Sequence, residues 1–99
     1  MSTDGIWQLV VHSPMGTQEA TADLRSEGSQ LTGTFTNKAN GISTDIFDGT
    51  IDGDTLRWKV KMVQIKMTLT FTTTVADDHM SGKVKAGMFG HFEVAGQRG

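Results

Sequence analysis

Hydrophobic and polar residues alternate along most of the chain, in runs that recur at intervals of about ten residues with turn-forming residues between them. The clearest run is LRWKVKM at 56–62, where every second side chain is apolar. No helical period of 3.6 residues is sustained anywhere. The pattern predicts an all-β domain whose strands each have one buried face and one wet face.

The runs predict eight strands. They are Ile6–His12, Thr17–Arg25, Leu31–Thr36, Ser43–Ile51, Leu56–Met62, Met67–Val75, Met80–Ala86 and His91–Val94. On the fourth strand, alternation turns four residues inward, namely Asp45, Phe47, Gly49 and Ile51. Ile42 and Ile46 then point outward, which leaves two large apolar side chains exposed to water.

Eight such strands must either close into a ring or pack as two sheets. Closure removes exposed strand edges. Near-equal strand lengths and sequential hairpins favour the barrel, because a sandwich usually needs a long crossing connection. We therefore predict one domain, residues 1–99, folded as an eight-stranded antiparallel up-and-down β-barrel. An interior of this size is filled by side chains or holds one small ligand.

The predicted interior is almost entirely apolar. Its large members are Trp7, Leu9, Val11, Phe35, Phe47, Trp58, Val60, Met62, Met67, Leu69, Phe71, Met80, Val84 and Phe92. Small inward residues such as Gly33, Gly49 and Gly82 either leave a cavity, make room for the aromatic rings, or kink the strands. The inward polar positions are few, at Gln18, Asp45 and Thr73.

The two ends of the predicted barrel differ. Short polar turns at 26–29, 52–54 and 76–79 share one end with the termini, and more irregular loops at 13–16, 37–41, 63–65 and 87–90 form the other. The second end carries Met15, Met88 and Phe89. These residues predict a ligand entrance, because barrel mouths commonly hold ligand sites. A plug or an oligomer contact remains the alternative.

Charge and composition narrow the partners. Nine Lys and Arg against eleven Asp and Glu give a net charge of −2, which argues against nucleic acid. Five lysines, Lys59, Lys61, Lys66, Lys83 and Lys85, form basic stripes that we interpret as a solvated exterior, with an anion-binding surface as the alternative. The chain has no cysteine, so thiolate metal sites and disulfides are excluded. Without a signal-like start or a long apolar run, we expect a cytoplasmic protein with no membrane partner.

Gly5-Ile6-Trp7 at the first strand, followed by Arg98 after the last, resembles the pairing of G-x-W with a late arginine in the calycin superfamily. The segments LTGT at 31–34 and TLRW at 55–58 are similar to strand segments of the avidin branch. The resemblance implies a streptavidin-like or lipocalin-like barrel, with Trp7 closing its floor beneath Arg98 and with homodimers or homotetramers formed through the wall. The chain has no tyrosine and only two tryptophans, so we expect no biotin binding.

The leading functional hypothesis is the binding of a small hydrophobic or amphipathic molecule inside the barrel, without a cofactor. The predicted ligand-binding residues are Met15, Gln18, Trp58, Met62, Met67, Phe71, Met88 and Phe89. Methionine suits an adaptable apolar pocket, and tight binding of a small apolar molecule additionally needs oriented polar groups.

Two other hypotheses stay open. One is a cofactor-independent enzyme, such as a cyclase, isomerase or hydratase, in which Asp45 or His12 acts as the acid or base. The other is a structural module with a solid barrel that assembles through its loops. No catalytic motif is present, and His12 and His91 point outward by parity, so we predict no metal site.

Overall fold

Every predicted strand is present in the computed structural model, which describes residues 4–13, 16–39, 41–62, 67–87 and 90–98, apart from the side chains of Ser13 and Met62. The strands are β1 (Gly5–Ser13), β2 (Gly16–Glu27), β3 (Gln30–Asn37), β4 (Ser43–Asp45), β5 (Phe47–Asp52), β6 (Thr55–Met62), β7 (Met67–Ala76), β8 (His79–Lys85) and β9 (His91–Arg98). All their pairings are antiparallel.

The strands close into a ring. Their order is β2-β1-β9-β8-β7-β6-β5-β3-β4, and β2 also pairs with β3, so the two ends of the sheet meet. β4 and β5 both pair with β3 and are the two halves of one barrel strand, interrupted at Ile46. The chain is therefore an eight-stranded antiparallel up-and-down barrel, as the alternation predicted. A closed barrel of this kind is consistent with a calycin-like fold.

The interrupted strand corrects one part of the prediction. Ile46, expected outside, is buried at 8% exposure, whereas Phe47, expected inside, is 39% exposed. A β-bulge between Phe47 and Thr50 adds one residue to β5 opposite β6, and Asp48 adopts a left-handed φ of 50° within it. Because an extra residue reverses the alternation of side chains, the residues before the bulge face opposite to the expected direction.

Large aromatic side chains fill the middle of the barrel. Trp7, Trp58 and Phe71 are each fully buried. The Trp58 and Phe71 rings stack with centroids 5.1 Å apart and planes 8° apart, and Phe35 packs against Phe71 at 5.4 Å. Offset ring contacts of this kind contribute about 1 kcal/mol beyond area burial. These inward positions are confirmed.

Inward glycines bring strands close together rather than leaving space. A Cβ at Gly33, Gly49 or Gly82 would collide with the main chain of the neighbouring strand, at Asp23, Leu31 and Thr72 respectively. The close approach of the neighbouring main chain is the reason that these positions require glycine. They do not report a cavity.

Arg98 packs across one end of the barrel. This end holds the β2–β3, β5–β6 and β7–β8 turns and is called the turn end here. The Arg98 guanidinium lies 4.6 Å from the ring centre of Trp7, which confirms the predicted pair. Nη1 donates to the main-chain oxygen of Asp4 at 2.6 Å, and Nε lies 3.2 Å from a carboxylate oxygen of Asp78. The Asp4 carboxylate in turn accepts two hydrogen bonds from Ser26 at 2.7 Å each. Arg98 thus joins both termini to a hairpin turn.

Candidate functional site

Two of the predicted ligand-binding residues, Trp58 and Phe71, meet at the centre of the barrel. They are cross-strand partners on β6 and β7, and their rings stack nearly parallel against each other. Strand alternation aims both rings inward, since Arg57 and Thr72 beside them face solvent. Val84 and Phe92 continue the same row across β8 and β9.

Two polar atoms in this interior have no hydrogen-bond partner. They are the indole Nε1 of Trp58 and the hydroxyl Oγ1 of Thr73. Trp58 is 0% exposed and Thr73 is 1% exposed, so neither side chain is available to bulk water. Thr73 lies opposite Leu56 on β6, which makes it the diagonal neighbour of Trp58 on the inner face.

Unpartnered buried polar groups are rare in folded proteins. More than about 90% of buried polar groups are hydrogen-bonded, and each exception costs about 1–3 kcal/mol. Thr73 is the one polar residue classed as buried among those the structure describes. The indole N–H can only donate, whereas the hydroxyl can donate and accept. Together they offer a donor and a donor–acceptor on one inner face.

The apolar side chains toward the other end of the barrel, the mouth, are less enclosed. Val11, Leu69 and Phe92 are half-buried and pack against the core. Met67 is also half-buried, at the start of β7. These half-buried side chains lie between the buried aromatic pair and the loops at the mouth.

Other predicted site residues do not line the interior. Gln18 was expected inside, but it is exposed. It pairs with Val11 close to the β1–β2 loop, where β2 runs beyond the enclosed part of the barrel. Met15, Met88 and Phe89 lie outside the described residues, as does the Met62 side chain, so the predicted entrance residues stay a prediction.

Both catalytic candidates lie outside the enclosed core. Asp45 is exposed at the end of β4, because the bulge in β5 turns the side chains before it to the face opposite to the one expected. His12 is exposed at the outer wall, opposite Glu93 on β9. His12 and Glu93 line an open surface groove of about 370 Å³ together with Ser81 and Lys83, and Asp45 is not part of it. No charged residue is classed as buried in the described part of the chain.

The described residues hold no cluster of three or more His, Cys, Asp or Glu side chains that could bind a metal ion. Across those same ranges, no helix has the length and apolar character needed to span a membrane. A scan against models of known protein families finds no match, and a search of curated proteins finds no relative. The chemical signature of the interior is the pair of unpartnered atoms on Trp58 and Thr73.

Proposed function

We propose that this protein binds a small amphipathic molecule inside the barrel. The supporting observation is the pair of unpartnered polar atoms, Trp58 Nε1 and Thr73 Oγ1, in an otherwise apolar interior. A ligand oxygen that accepts from the indole N–H would satisfy one of them, and a carbonyl or hydroxyl oxygen can also accept from the Thr73 hydroxyl. The ligand therefore carries a neutral oxygen acceptor on an apolar body.

The energetics support a ligand that uses both kinds of contact. An apolar body burying about 250 Å² gains roughly 6 kcal/mol, of which association consumes at least about 4 kcal/mol. Hydrogen bonds to Trp58 and Thr73 add to the remainder and remove the 1–3 kcal/mol penalty on each unpartnered group. Polar contacts would thus decide the affinity, while Val11, Leu69 and Phe92, which are half-buried toward the mouth, would contact the apolar body.

An uncharged interior favours binding over acid–base catalysis. Asp45 and His12, the residues considered for that chemistry, are both exposed. A general acid or base must reach the proton that it transfers, directly or through one water. Neither side chain lies on the inner face of the barrel, where the ligand is proposed to bind.

The proposal is tested by titrating labelled protein with hexane, 1-hexanol and 2-hexanone and following the two indole N–H signals by NMR. Trp58→Phe assigns the signals, and Trp7, beneath Arg98 at the turn end, is the internal control. We expect 1-hexanol and 2-hexanone to shift the Trp58 signal downfield and hexane to leave its hydrogen bonding unchanged. If none of the three perturbs Trp58, or if all perturb both indoles alike, interior binding is wrong.

The likeness to avidins suggests a second proposal, that two copies associate through the barrel wall. Sedimentation equilibrium measures this directly. A dimer or tetramer at micromolar concentration supports it, and a monomer at every concentration up to about 100 µM removes it.

A further inference from the structure

The outer face of β6, β7 and β8 carries a regular arrangement of charge that the interior site does not use. We call this surface the basic wall. Its cations are Arg57, Lys59 and Lys61 on β6 and Lys83 and Lys85 on β8. Between the two columns lie the outward threonines of β7, Thr68, Thr70 and Thr72. The wall is therefore two rows of positive charge with a floor of hydroxyl groups.

The register of the strands fixes the spacing of the charges on the basic wall. Thr72 lies between Arg57 and Lys83, and Thr70 lies between Lys59 and Lys85. Neighbouring strands are about 4.8 Å apart, so the two columns stand about 10 Å from each other. Within a column, cations sit at every second residue, about 6.8 Å apart. Both columns of cations run along β7.

Most of this charge is not neutralised. Among the described residues, Lys59 pairs with Asp48 at 3.7 Å, with side chains that are 42% and 68% exposed, and such a surface pair contributes at most about 1 kcal/mol. Glu93 lies beside Lys83 on β9. The other cations of the wall make no ion pair in the described structure. A chain with a net charge of −2 thus keeps a positive face.

The residues around the basic wall favour some kinds of polyanion over others as its ligand. The hairpin turns at the end of these same strands carry Asp52, Asp54, Asp77 and Asp78, which would be repelled by a flat anionic membrane approaching the wall. Single-stranded nucleic acid is bound by a positively charged groove together with aromatic side chains on which successive bases stack. Among the Phe and Trp side chains of the described ranges, Phe47 alone is exposed, at 39%, at the edge of the wall beside Lys59.

We propose that the basic wall binds an extended acidic segment of a partner protein. In an extended peptide, side chains on one face recur about every 6.8 Å, which is the repeat of the cations in each column. An acidic residue at every second position would meet the lysines and Arg57, while the hydroxyls of Thr70 and Thr72 donate to carboxylate oxygens between them. A second copy of this chain fits less well, because the acidic residues on its longest strand, Glu19, Asp23 and Glu27 of β2, recur at every fourth position rather than at every second.

The test compares two eight-residue peptides by NMR titration of the full chain at about 25 mM salt. One alternates glutamate with threonine, and the other has the same composition with its glutamates in one block. We expect the alternating peptide to bind at least about fivefold more tightly and to perturb β6 to β8. Affinity should fall steeply at about 150 mM salt, as expected for exposed charges.

The protein variant for this test is Lys83→Gln with Lys85→Gln, and Lys38→Gln, an exposed lysine in the β3–β4 connection, is the matched control. We expect about a tenfold loss of affinity in the double variant and none in the control. Thermal unfolding of all variants should match the parent, since the residues are exposed. Equal binding of the two peptides would overturn the proposal. So would tighter binding of oligothymidylate, or of vesicles containing phosphatidylserine, at the same salt concentration.

Discussion

Replacing Thr73 by valine is expected to stabilise the ligand-free protein. The hydroxyl is buried at 1% exposure without a partner, and a buried unpartnered polar group costs about 1–3 kcal/mol. Valine has almost the same shape, is also β-branched, and is equally suited to a strand. We therefore expect the free energy of unfolding to rise by about 1–2 kcal/mol. For a domain of this size, that corresponds to an increase in Tm of about 5–10 °C.

The assay is urea and thermal unfolding followed by circular dichroism, with Thr74→Val as the matched control. Thr74 is the next residue on β7 and is exposed, so its substitution should change stability by less than about 0.5 kcal/mol. A Thr73→Val variant that unfolds more easily than the parent by 1 kcal/mol or more would refute the reasoning. Such a loss would mean that the hydroxyl is hydrogen-bonded in the folded protein.

Three further substitutions test the fold and the site. Arg98→Met should lower the free energy of unfolding by about 2 kcal/mol, because it removes the contact with Trp7 and the pair with Asp78. Chemical denaturation measures this change, and an unchanged midpoint would mean that the Arg98 contacts do not stabilise the fold. Ile46→Ala should lower the free energy of unfolding by about 2–4 kcal/mol, and Phe47→Ala by less than about 1 kcal/mol. If thermal melts show the larger loss for Phe47→Ala, then Phe47 and not Ile46 faces the interior, as strict alternation predicted. Thr73→Val should also weaken 2-hexanone about fivefold while leaving hexane unaffected, as read by the Trp58 indole signal; equal weakening of both would show a loss of packing instead.

Alternation was sufficient to predict most of the barrel because it reports burial directly. Leu56, Trp58 and Val60 are each fully buried, and the charged residues between them are not. A side chain on a strand has only two directions, so one clear run fixes the whole face. The partnership of Trp7 with Arg98 came instead from a family resemblance, since nothing local to either residue places the two termini side by side.

The fourth barrel strand could not be predicted from its pattern, because its geometry depends on one extra residue. Asp48 takes a left-handed conformation and Gly49 approaches the main chain of Leu31. Neither feature changes the order of apolar and polar residues, yet together they reverse the side-chain direction between Ile46 and Ile51. Two apolar residues five positions apart face the same interior, which strict alternation forbids. The apolar Ile46, left outside by the prediction, was the available signal.

The hydrogen bonding of the candidate site could not be predicted from alternation either. Sequence placed Thr73 and Trp58 inside, and both are there, but alternation carries no information about hydrogen bonding. Whether an inward hydroxyl finds a partner depends on which groups lie across the barrel, and the residues nearest in register to Thr73 are Leu56 and Gly82, neither of which has a polar side chain. A small domain is stable by only about 5–15 kcal/mol, so two unpartnered groups consume a sizeable part of that margin. Valine at position 73 would avoid about half of this penalty with almost no change of shape. On our proposal, a ligand oxygen that accepts from the Thr73 hydroxyl offsets this cost when the interior is occupied.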